Sequence, residues 1–171
     1  TLRPNVAVHD GRPFTADDVV FSAERSVPPP ATVNLSGAAV GKPRKVDDFT
    51  VEFVQDKPNP ITLEHIATVF IMNKAWAEKH NVVKPQDYNA KQETFAVRNA
   101  NGTGPFTLVR YEADVRTTLK ANPAWWGKGS PSGGGNLDDV QYQVIQSDAT
   151  RLAALQSGQV DFVIDPSFQD L

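Results

Sequence analysis

Three histidines are the side chains of this chain with the most obvious chemical potential. His9 stands beside Asp10, and an imidazole next to a carboxylate could transfer protons. Adjacent residues of a strand point to opposite faces, so the pair is better explained as a strand-ending turn. His65 and His80 are too far apart for one helical pair of metal ligands, and no His-Glu-x-x-His motif is present. We therefore predict no catalytic residue and no metal site.

A glycine-rich segment could instead cradle a phosphate group. Gly102, Thr103, Gly104 and Pro105 follow one another, but the Gly-Lys-Ser/Thr ending of a phosphate-binding loop is missing. Pro105 also removes a backbone donor where such a loop needs one. The four residues are therefore predicted to be a hinge or turn.

Two adjacent tryptophans could stack on a ligand or anchor a core. Trp125 and Trp126 have opposite parity along the chain, so one can face inward and the other outward. Core anchoring is the favoured interpretation, and ligand stacking remains open. The glycine-rich stretch that follows, Gly127 to Asn136, is predicted to be a flexible loop.

Composition excludes several classes of function. The 171 residues carry 17 basic and 20 acidic groups, a net charge of −3, which argues against nucleic-acid binding and against a polybasic membrane surface. Cysteine is absent, so thiolate chemistry and disulfides are excluded. No apolar run approaches the roughly 18 residues of a membrane-spanning helix. We also expect no cofactor.

The first hundred residues predict a strand, a well-capped helix and a series of short elements. Thr15 has the character of an N-cap, Asp18 stands at the third helical position, and a proline run at Pro28–Pro30 ends the helix near Ser26. Its predicted buried face is Ala16, Val19, Val20 and Ala23. The other predicted elements are a strand at Val6–His9, an unstructured stretch at Ala31–Gly41, a hairpin at Arg44–Val54, helices at Ile61–Ala67 and Lys74–His80, a possible strand at Val69–Met72 and a helical turn at Glu93–Arg98.

Beyond Asn101 the pattern predicts a second hairpin and a βαβ unit. The hairpin pairs Phe106–Tyr111 with Val115–Ala121. The βαβ unit comprises a strand at Val140–Ile145, a helix at Asp148–Ser157 with Gly158 after its end, and a parallel strand at Val160–Ile164. We therefore predict an α/β fold with mixed sheets.

Four segments, in this order, resemble one known family. They are His9–Arg25, Gly102–Phe106, the Asn-Pro-Ala-Trp-Trp-Gly run at Asn122–Gly127 and the Ser157–Asp161 segment. As a set they are similar to the solute-binding proteins of peptide- and nickel-type ABC importers, the bacterial extracellular solute-binding proteins of family 5. The tryptophan at 125 replaces the usual tyrosine. The chain resembles only part of such a protein, and we expect it to be a fragment.

The resemblance implies a fold, a function and a set of residues. The fold would be the class II type of periplasmic binding protein, with residues 1–100 in the smaller lobe and residues 101–171 in the first lobe after a crossover at Gly102–Pro105. A peptide or similar solute would bind in the interlobe cleft and pass to an ABC permease, with no covalent chemistry. The protein would be periplasmic or a cell-surface lipoprotein. Val33, Asn34 and Leu35 occupy the loop in which the family often places a ligand-facing aromatic residue, although this chain has none there.

Two alternatives belong to other functional classes. A hydrolase would need a nucleophile on a suitable turn, such as a Gly-x-Ser-x-Gly elbow, and the sequence contains none. A signalling or chaperone-like binding domain on the same fold would differ in its partner and not in its site. Genomic neighbours encoding a permease and an ATPase would separate transport from this second alternative.

The resemblance also generates a prediction about affinity. The main peptide contacts of the family come partly from a region that follows the segment matched here. We therefore expect the 171-residue chain to bind peptides more weakly than about 1 μM, which corresponds to roughly 8 kcal/mol. Calorimetry with short peptides measures this, and a sub-micromolar affinity would contradict it.

Overall fold

The structure is a computed structural model that describes residues 1–91, 93–130 and 136–167. In chain order its elements are α1 (Ala16–Ser26), α2 (Asn34–Ala39), β1 (Lys42–Asp47), β2 (Thr50–Val54), α3 (Thr62–Ala67), α4 (Lys74–Lys79), a 3₁₀ turn (Phe95–Val97), β3 (Phe106–Glu112), β4 (Arg116–Ala121), β5 (Asp139–Gln143) and α5 (Asp148–Gln156). Within the described ranges, none of the helices combines the length and the hydropathy needed to span a bilayer.

The strands form two sheets in the described part of the chain. β1 and β2 make an antiparallel pair in which Lys42 lies opposite Val54. β3, β4 and β5 make a three-stranded antiparallel sheet in that order, with Phe106 opposite Ala121 and Thr117 opposite Tyr142. The α/β class and both predicted hairpins are confirmed. The sheets are antiparallel and not mixed, because the last predicted strand is not formed.

That missing strand is the second strand of the predicted βαβ unit. The helix of the unit is present as α5, with Gly158 in the left-handed conformation (φ 75°) just beyond it. Its N-cap is Ser147, whose side chain accepts from the Thr150 N–H. Val160–Ile164 is not a strand. The backbone N–H of Val160 bonds the Ala154 carbonyl of the helix instead of a neighbouring strand. Alternating apolar residues favour a strand only where a partner strand can satisfy the backbone.

α1 buries a polar stripe in addition to the predicted apolar face. Ala16, Val19 and Ala23 are buried as expected, and Val20 is half-buried. The stripe consists of Asp18, Ser22 and Ser26, which stand four residues apart on one side of the helix and are all buried. Buried polar groups are tolerated only when they are hydrogen-bonded. The hydrogen-bond partners of the three residues therefore show which part of the chain is fixed against α1.

Those partners lie mainly at the start of α4. One Asp18 carboxylate oxygen accepts from the Lys74 backbone N–H at 2.8 Å and from Asn73 Nδ2 at 3.1 Å. The other accepts from the Thr15 N–H at 2.9 Å, which fixes Thr15 in the predicted N-cap position. Ser22 Oγ accepts from the Met72 N–H at 2.8 Å and donates to the Met72 carbonyl at 3.1 Å. Because both backbone groups of Met72 are engaged by a side chain, the possible strand at Val69–Met72 is wrong.

Two small apolar clusters flank this stripe. One contains Ala23, Val40 and Val69, with Phe53 and Ile66 packed against it. The other contains Trp76, Ala77 and Val82, with Phe21, Met72 and Ala96 packed against it. Since α1 contributes to both clusters, it is the central element of residues 1–100.

α2 corrects the expectation that Ala31–Gly41 has no regular structure. Gly37 lies so close to α1 that a Cβ atom there would stand 2.2 Å from Ser26 Oγ. Val40, just beyond the helix, is fully buried. Glycine is a poor helix former, so the sequence pattern gave no signal, and packing against α1 determines the conformation.

The strand expected at Val6–His9 is reduced to a single antiparallel bridge between Ala7 and Pro13. Pro13 has no N–H to extend a ladder, and the His9 N–H bonds the Gly102 carbonyl at 2.9 Å. The helices predicted at Ile61–Ala67 and Lys74–His80 are confirmed as α3 and α4, as is the helical turn at Glu93–Arg98. Of the predicted Gly127–Asn136 loop, residues 131–135 lie outside the described residues.

The polar stripe predicts that substitution of Asp18 destabilises the protein strongly and that substitution of the neighbouring Asp17 does so only weakly. Asp18→Ala leaves three donors around a buried position without an acceptor and should lower the free energy of unfolding by about 3 kcal/mol or more. Thr15→Ala should lower it by about 1 kcal/mol. Asp17→Ala, which removes an exposed carboxylate from the same helical turn, is the matched control and should change little. Chemical denaturation of the three variants measures these differences; equal effects at 17 and 18 would contradict the analysis.

Candidate functional site

The pocket beside α1 is the candidate site. Its volume is about 250 Å³, close to the space of eight water molecules at roughly 30 Å³ each. Its described lining comes from α1, from the chain near Thr32, from the chain near Phe70, and from residues 85–88 and 94–97. The lining residues are Ser22, Arg25, Ser26, Ala31, Thr32, Val33, Phe70, Met72, Pro85, Gln86, Tyr88, Thr94, Ala96 and Val97.

A larger concavity, of about 550 Å³, lies beside the β3–β4–β5 sheet. It is bounded by Trp125, Lys128 and Leu137, among others, and it adjoins residues 131–135, which the structure does not describe. The described lining of the pocket beside α1 contains a charged group and several polar groups with known hydrogen bonds. We therefore base the chemical argument on the smaller pocket.

Arg25 is the charged group of the pocket. Its Nη2 donates to the Lys84 carbonyl at 2.9 Å, while its Nε is buried without a hydrogen-bond partner. No carboxylate of the described residues forms an ion pair with it. Burial lowers the pKa of the Arg25 guanidinium, with an opposing contribution from Tyr88, yet an arginine remains protonated at neutral pH. The pocket therefore contains an uncompensated positive charge.

The remaining polar groups of the pocket fall into two sets. The hydroxyls of the first set already donate within the protein: Ser22 to the Met72 carbonyl, Ser26 to the Ala23 carbonyl and Thr94 to Gln86. Gln86 Oε1 accepts from both the N–H and the hydroxyl of Thr94, so Gln86 Nε2 remains available as a donor. Thr32 and Tyr88, each with a hydroxyl group, also line the pocket. None of the described lining residues is acidic, so the pocket presents donors and one cation to any occupant.

Of the three residues predicted to bind ligand, Val33 is the one that belongs to the described lining of this pocket. Val33 lines the pocket, and its backbone is the N-cap of α2. Asn34 and Leu35 begin α2 and do not line the pocket; the Leu35 side chain is 84% exposed. Arg25, Gln86 and Tyr88 were missed by the sequence analysis. Arg25 could have been found, since it stands seven residues after Asp18 and three after Ser22 on neighbouring positions of α1.

The predicted hinge at Gly102–Pro105 is held from one side by His9. The Gly102 N–H can only donate, so His9 Nδ1 accepts from it at 3.3 Å. The Gly104 carbonyl can only accept, so Nε2 carries the proton and donates to it at 3.1 Å. This arrangement uses both ring nitrogens of a neutral histidine. His9 and Asp10 accordingly form no acid–base pair, and the Asp10 carboxylate instead pairs with Arg12 at 3.0 Å.

The tryptophan pair holds the same segment from the other side. Trp126 Nε1 donates to the Thr103 carbonyl at 3.0 Å, and the Arg3 guanidinium lies 4.5 Å from the Trp126 ring centroid. Trp125 folds back over Gly127, where a Cβ atom would come within 2.6 Å of its ring. The glycine after the pair is thus required by close packing.

The other two histidines have packing or helical positions. His80 stacks on Phe95 with ring centroids 4.1 Å apart and lies 5.0 Å from Trp76. His65 lies in α3. Among the described residues, no group of three or more potential ligands could hold a metal ion.

Comparison with known proteins identifies the class. Residues 1–171 match the family described as "Bacterial extracellular solute-binding proteins, family 5 Middle". The chain belongs to this family, and the resemblance noted in the sequence is confirmed.

Individual relatives agree with this assignment. The chain is 29% identical to heme-binding protein A of Haemophilus influenzae and 28% identical to the dipeptide-binding protein of Escherichia coli, covering 99% of this chain and 33% and 34% of those proteins. It is 28% identical to the solved binding protein AgaA of A. tumefaciens R10 in complex with agropinic acid, with a TM-score of 0.74 over 93% of this chain and 30% of that one. The chain thus spans about a third of the length of the relatives it matches.

The two hydrogen bonds from His9 to the Gly102–Pro105 segment predict that substitution of His9 loosens this segment locally. His9→Phe keeps an aromatic ring but removes both side-chain hydrogen bonds. The Gly102 amide should then exchange with solvent about fivefold faster, because it loses one bond with a net contribution of about 1 kcal/mol and 1.4 kcal/mol corresponds to a factor of ten. Hydrogen exchange followed by NMR measures this. His65→Phe is the matched control, and an unchanged Gly102 rate in His9→Phe would show that the imidazole does not hold the segment.

Proposed function

We propose that this chain is part of an extracytoplasmic solute-binding component of an ABC importer, which captures a peptide or a related solute and delivers it to a membrane permease. The observation that carries this proposal is the family match over residues 1–171. The relatives include a heme-binding protein, a dipeptide-binding protein and a binding protein solved in complex with agropinic acid. The family description, "extracellular", supports a periplasmic location or a cell-surface lipoprotein.

The site chemistry favours binding over catalysis. The nitrogens of His9 are engaged by backbone groups of the Gly102–Pro105 segment, so this imidazole is not free to act as a base. The hydroxyls of Ser22 and Ser26 donate to backbone carbonyls inside the protein and have no adjacent base. A pocket lined by donors and apolar groups can hold a solute without changing it.

We further propose that Gly102–Pro105 is the crossover between two lobes, with residues 1–100 in the smaller lobe and residues 101–171 in the first. Three contacts support this: His9 from the first part and Asn122 and Trp126 from the second all bond this short segment. A Cβ atom at Gly104 would meet nothing within 4 Å, and at Gly102 it would meet only His9 at 3.6 Å. Neither glycine is required sterically in this conformation, which suits a segment that adopts a second one.

The transport function is tested by capture and uptake. Thermal melting of the protein against di- and tripeptides, opines, heme and nickel complexes should identify a stabilising solute, because a ligand that binds only the folded state raises its stability. That solute should be recovered chemically unchanged, and its uptake should fall when the gene is deleted. Turnover of the solute would favour the hydrolase alternative, and binding without any uptake defect would favour a signalling or chaperone-like role.

The crossover is tested at Gly104. In a protein that contains both complete lobes, Gly104→Val should reduce ligand-induced compaction and weaken ligand binding, since a β-branched residue restricts the backbone. Small-angle scattering with and without ligand measures compaction. Ala124→Val, at an exposed position of the loop after β4, is the control. Normal closure in Gly104→Val would place the lobe boundary elsewhere.

A further inference from the structure

We propose that the pocket beside α1 binds the carboxylate of a small solute with an apolar substituent, and that Arg25 is the residue that recognises the carboxylate. This inference rests on the proposed solute-binding function and assigns a ligand class to one place in the chain. It depends on three features of the pocket: its charge, its free donors and its apolar wall.

The positive charge of Arg25 favours an occupant with a negative charge. A half-buried guanidinium gains from an anionic or strongly accepting partner, and among the described residues Arg25 bonds the Lys84 carbonyl and no carboxylate. Two other half-buried arginines of the described residues each pair with an acid: Arg12 with Asp10 and Arg151 with Asp148. Arg25 thus combines partial burial with an unmet demand for negative charge. A carboxylate satisfies a guanidinium through two parallel bonds.

The free donors determine the functional group. Gln86 Nε2 and the hydroxyls of Thr32 and Tyr88 belong to lining residues and donate to no group of the described residues, whereas the serine hydroxyls are already engaged. A carboxylate has about four acceptor positions and no donor when ionised. An amine or ammonium group would meet a cation and no acidic side chain among the lining residues. The pocket therefore discriminates between an acid and an amide of the same shape.

The apolar wall determines the rest of the solute. Phe70, Val33, Met72, Ala96 and Val97 border the space, and the Phe70 side chain is 83% exposed in this structure. An exposed phenylalanine at the rim of a polar pocket gains from covering an apolar group. The volume of about 250 Å³ is below the usual range for drug-sized ligands of roughly 300–1,000 Å³. The occupant is accordingly the size of one amino-acid residue or a very short peptide.

The test compares an acid with its own amide. N-acetyl-leucine and N-acetyl-leucine amide are titrated into the 15N-labelled 171-residue chain, and binding is followed by the backbone amide shifts of Thr32, Ala96 and Val97. The acid should bind at least tenfold more tightly than the amide. The dipeptide Gly-Leu is titrated in parallel, and it shows whether the carboxylate is accepted from a peptide with a free amine or only from a single blocked residue.

Substitution of Arg25 separates recognition from folding. Arg25→Gln should abolish the preference for the acid, so that acid and amide bind equally weakly, while Arg25→Lys should retain part of it. If Arg25 only maintained the shape of the pocket, both probes would weaken together and the preference would remain. Arg44→Gln, which removes an exposed cation of β1, is the charge-matched control and should leave the preference intact.

Each contrary result has a separate meaning. Equal binding of acid and amide by the unmodified chain overturns the proposal, as does a preference that survives Arg25→Gln. Absence of any binding shows that the pocket is not a ligand site. The uptake measurement does not involve Arg25 and is independent of these results. The transport function can therefore be correct when the carboxylate proposal is wrong, and the carboxylate proposal can be correct when deletion of the gene leaves uptake unchanged.

Discussion

The buried polar stripe of α1 is the interaction on which the rest of the first hundred residues depends. Asp18 and Ser22 bind the backbone of Met72 and Lys74, so they fix where the chain passes α1 and where α4 begins. Asn73 completes the link, because it donates to Asp18 and its own Oδ1 accepts from the Trp76 N–H at 2.9 Å. Apolar contacts are non-directional, and the two small clusters on either side could tolerate several arrangements. The Asp18 carboxylate accepts from three donors, and these bonds can all form in only one arrangement.

The same helix supplies the candidate site. Ser22 and Ser26 belong both to the stripe and to the lining of the pocket, and Arg25 stands between them in sequence. A rotation of α1 that broke the Ser22–Met72 bonds would also move the guanidinium. The pocket is therefore positioned by the hydrogen bonds that stabilise the fold, which keeps a partly buried cation at a defined place without an ion-pair partner. This is how a binding site can remain preorganised while its charge awaits a ligand.

Local signals in the sequence were sufficient for some elements and insufficient for others. The cap at Thr15, the acidic first turn and the prolines after Ser26 all agree, and α1 has the predicted limits; the hairpins follow from alternation that a neighbouring strand can match. α2 forms through contact between Gly37 and Ser26, and the expected strand at Val69–Met72 is prevented by Ser22. Both depend on residues distant in sequence. For the same reason the sequence drew attention to Val33 but not to Arg25, which stands out only because it has no ion-pair partner among the described residues.

The glycine segment at 102–105 shows how one motif can serve two requirements. In this structure the Gly104 carbonyl accepts from both His9 and Asn122, and the Thr103 carbonyl accepts from Trp126. Contacts from other parts of the chain therefore help to fix the position of the segment. An alanine would fit at Gly104. Glycine lowers the barrier to other backbone conformations, while these hydrogen bonds stabilise this one. The conformation of this segment can change when the residues that bond it, His9 or Asn122 and Trp126, move. Such a segment can couple movement of one part of the chain to movement of the other.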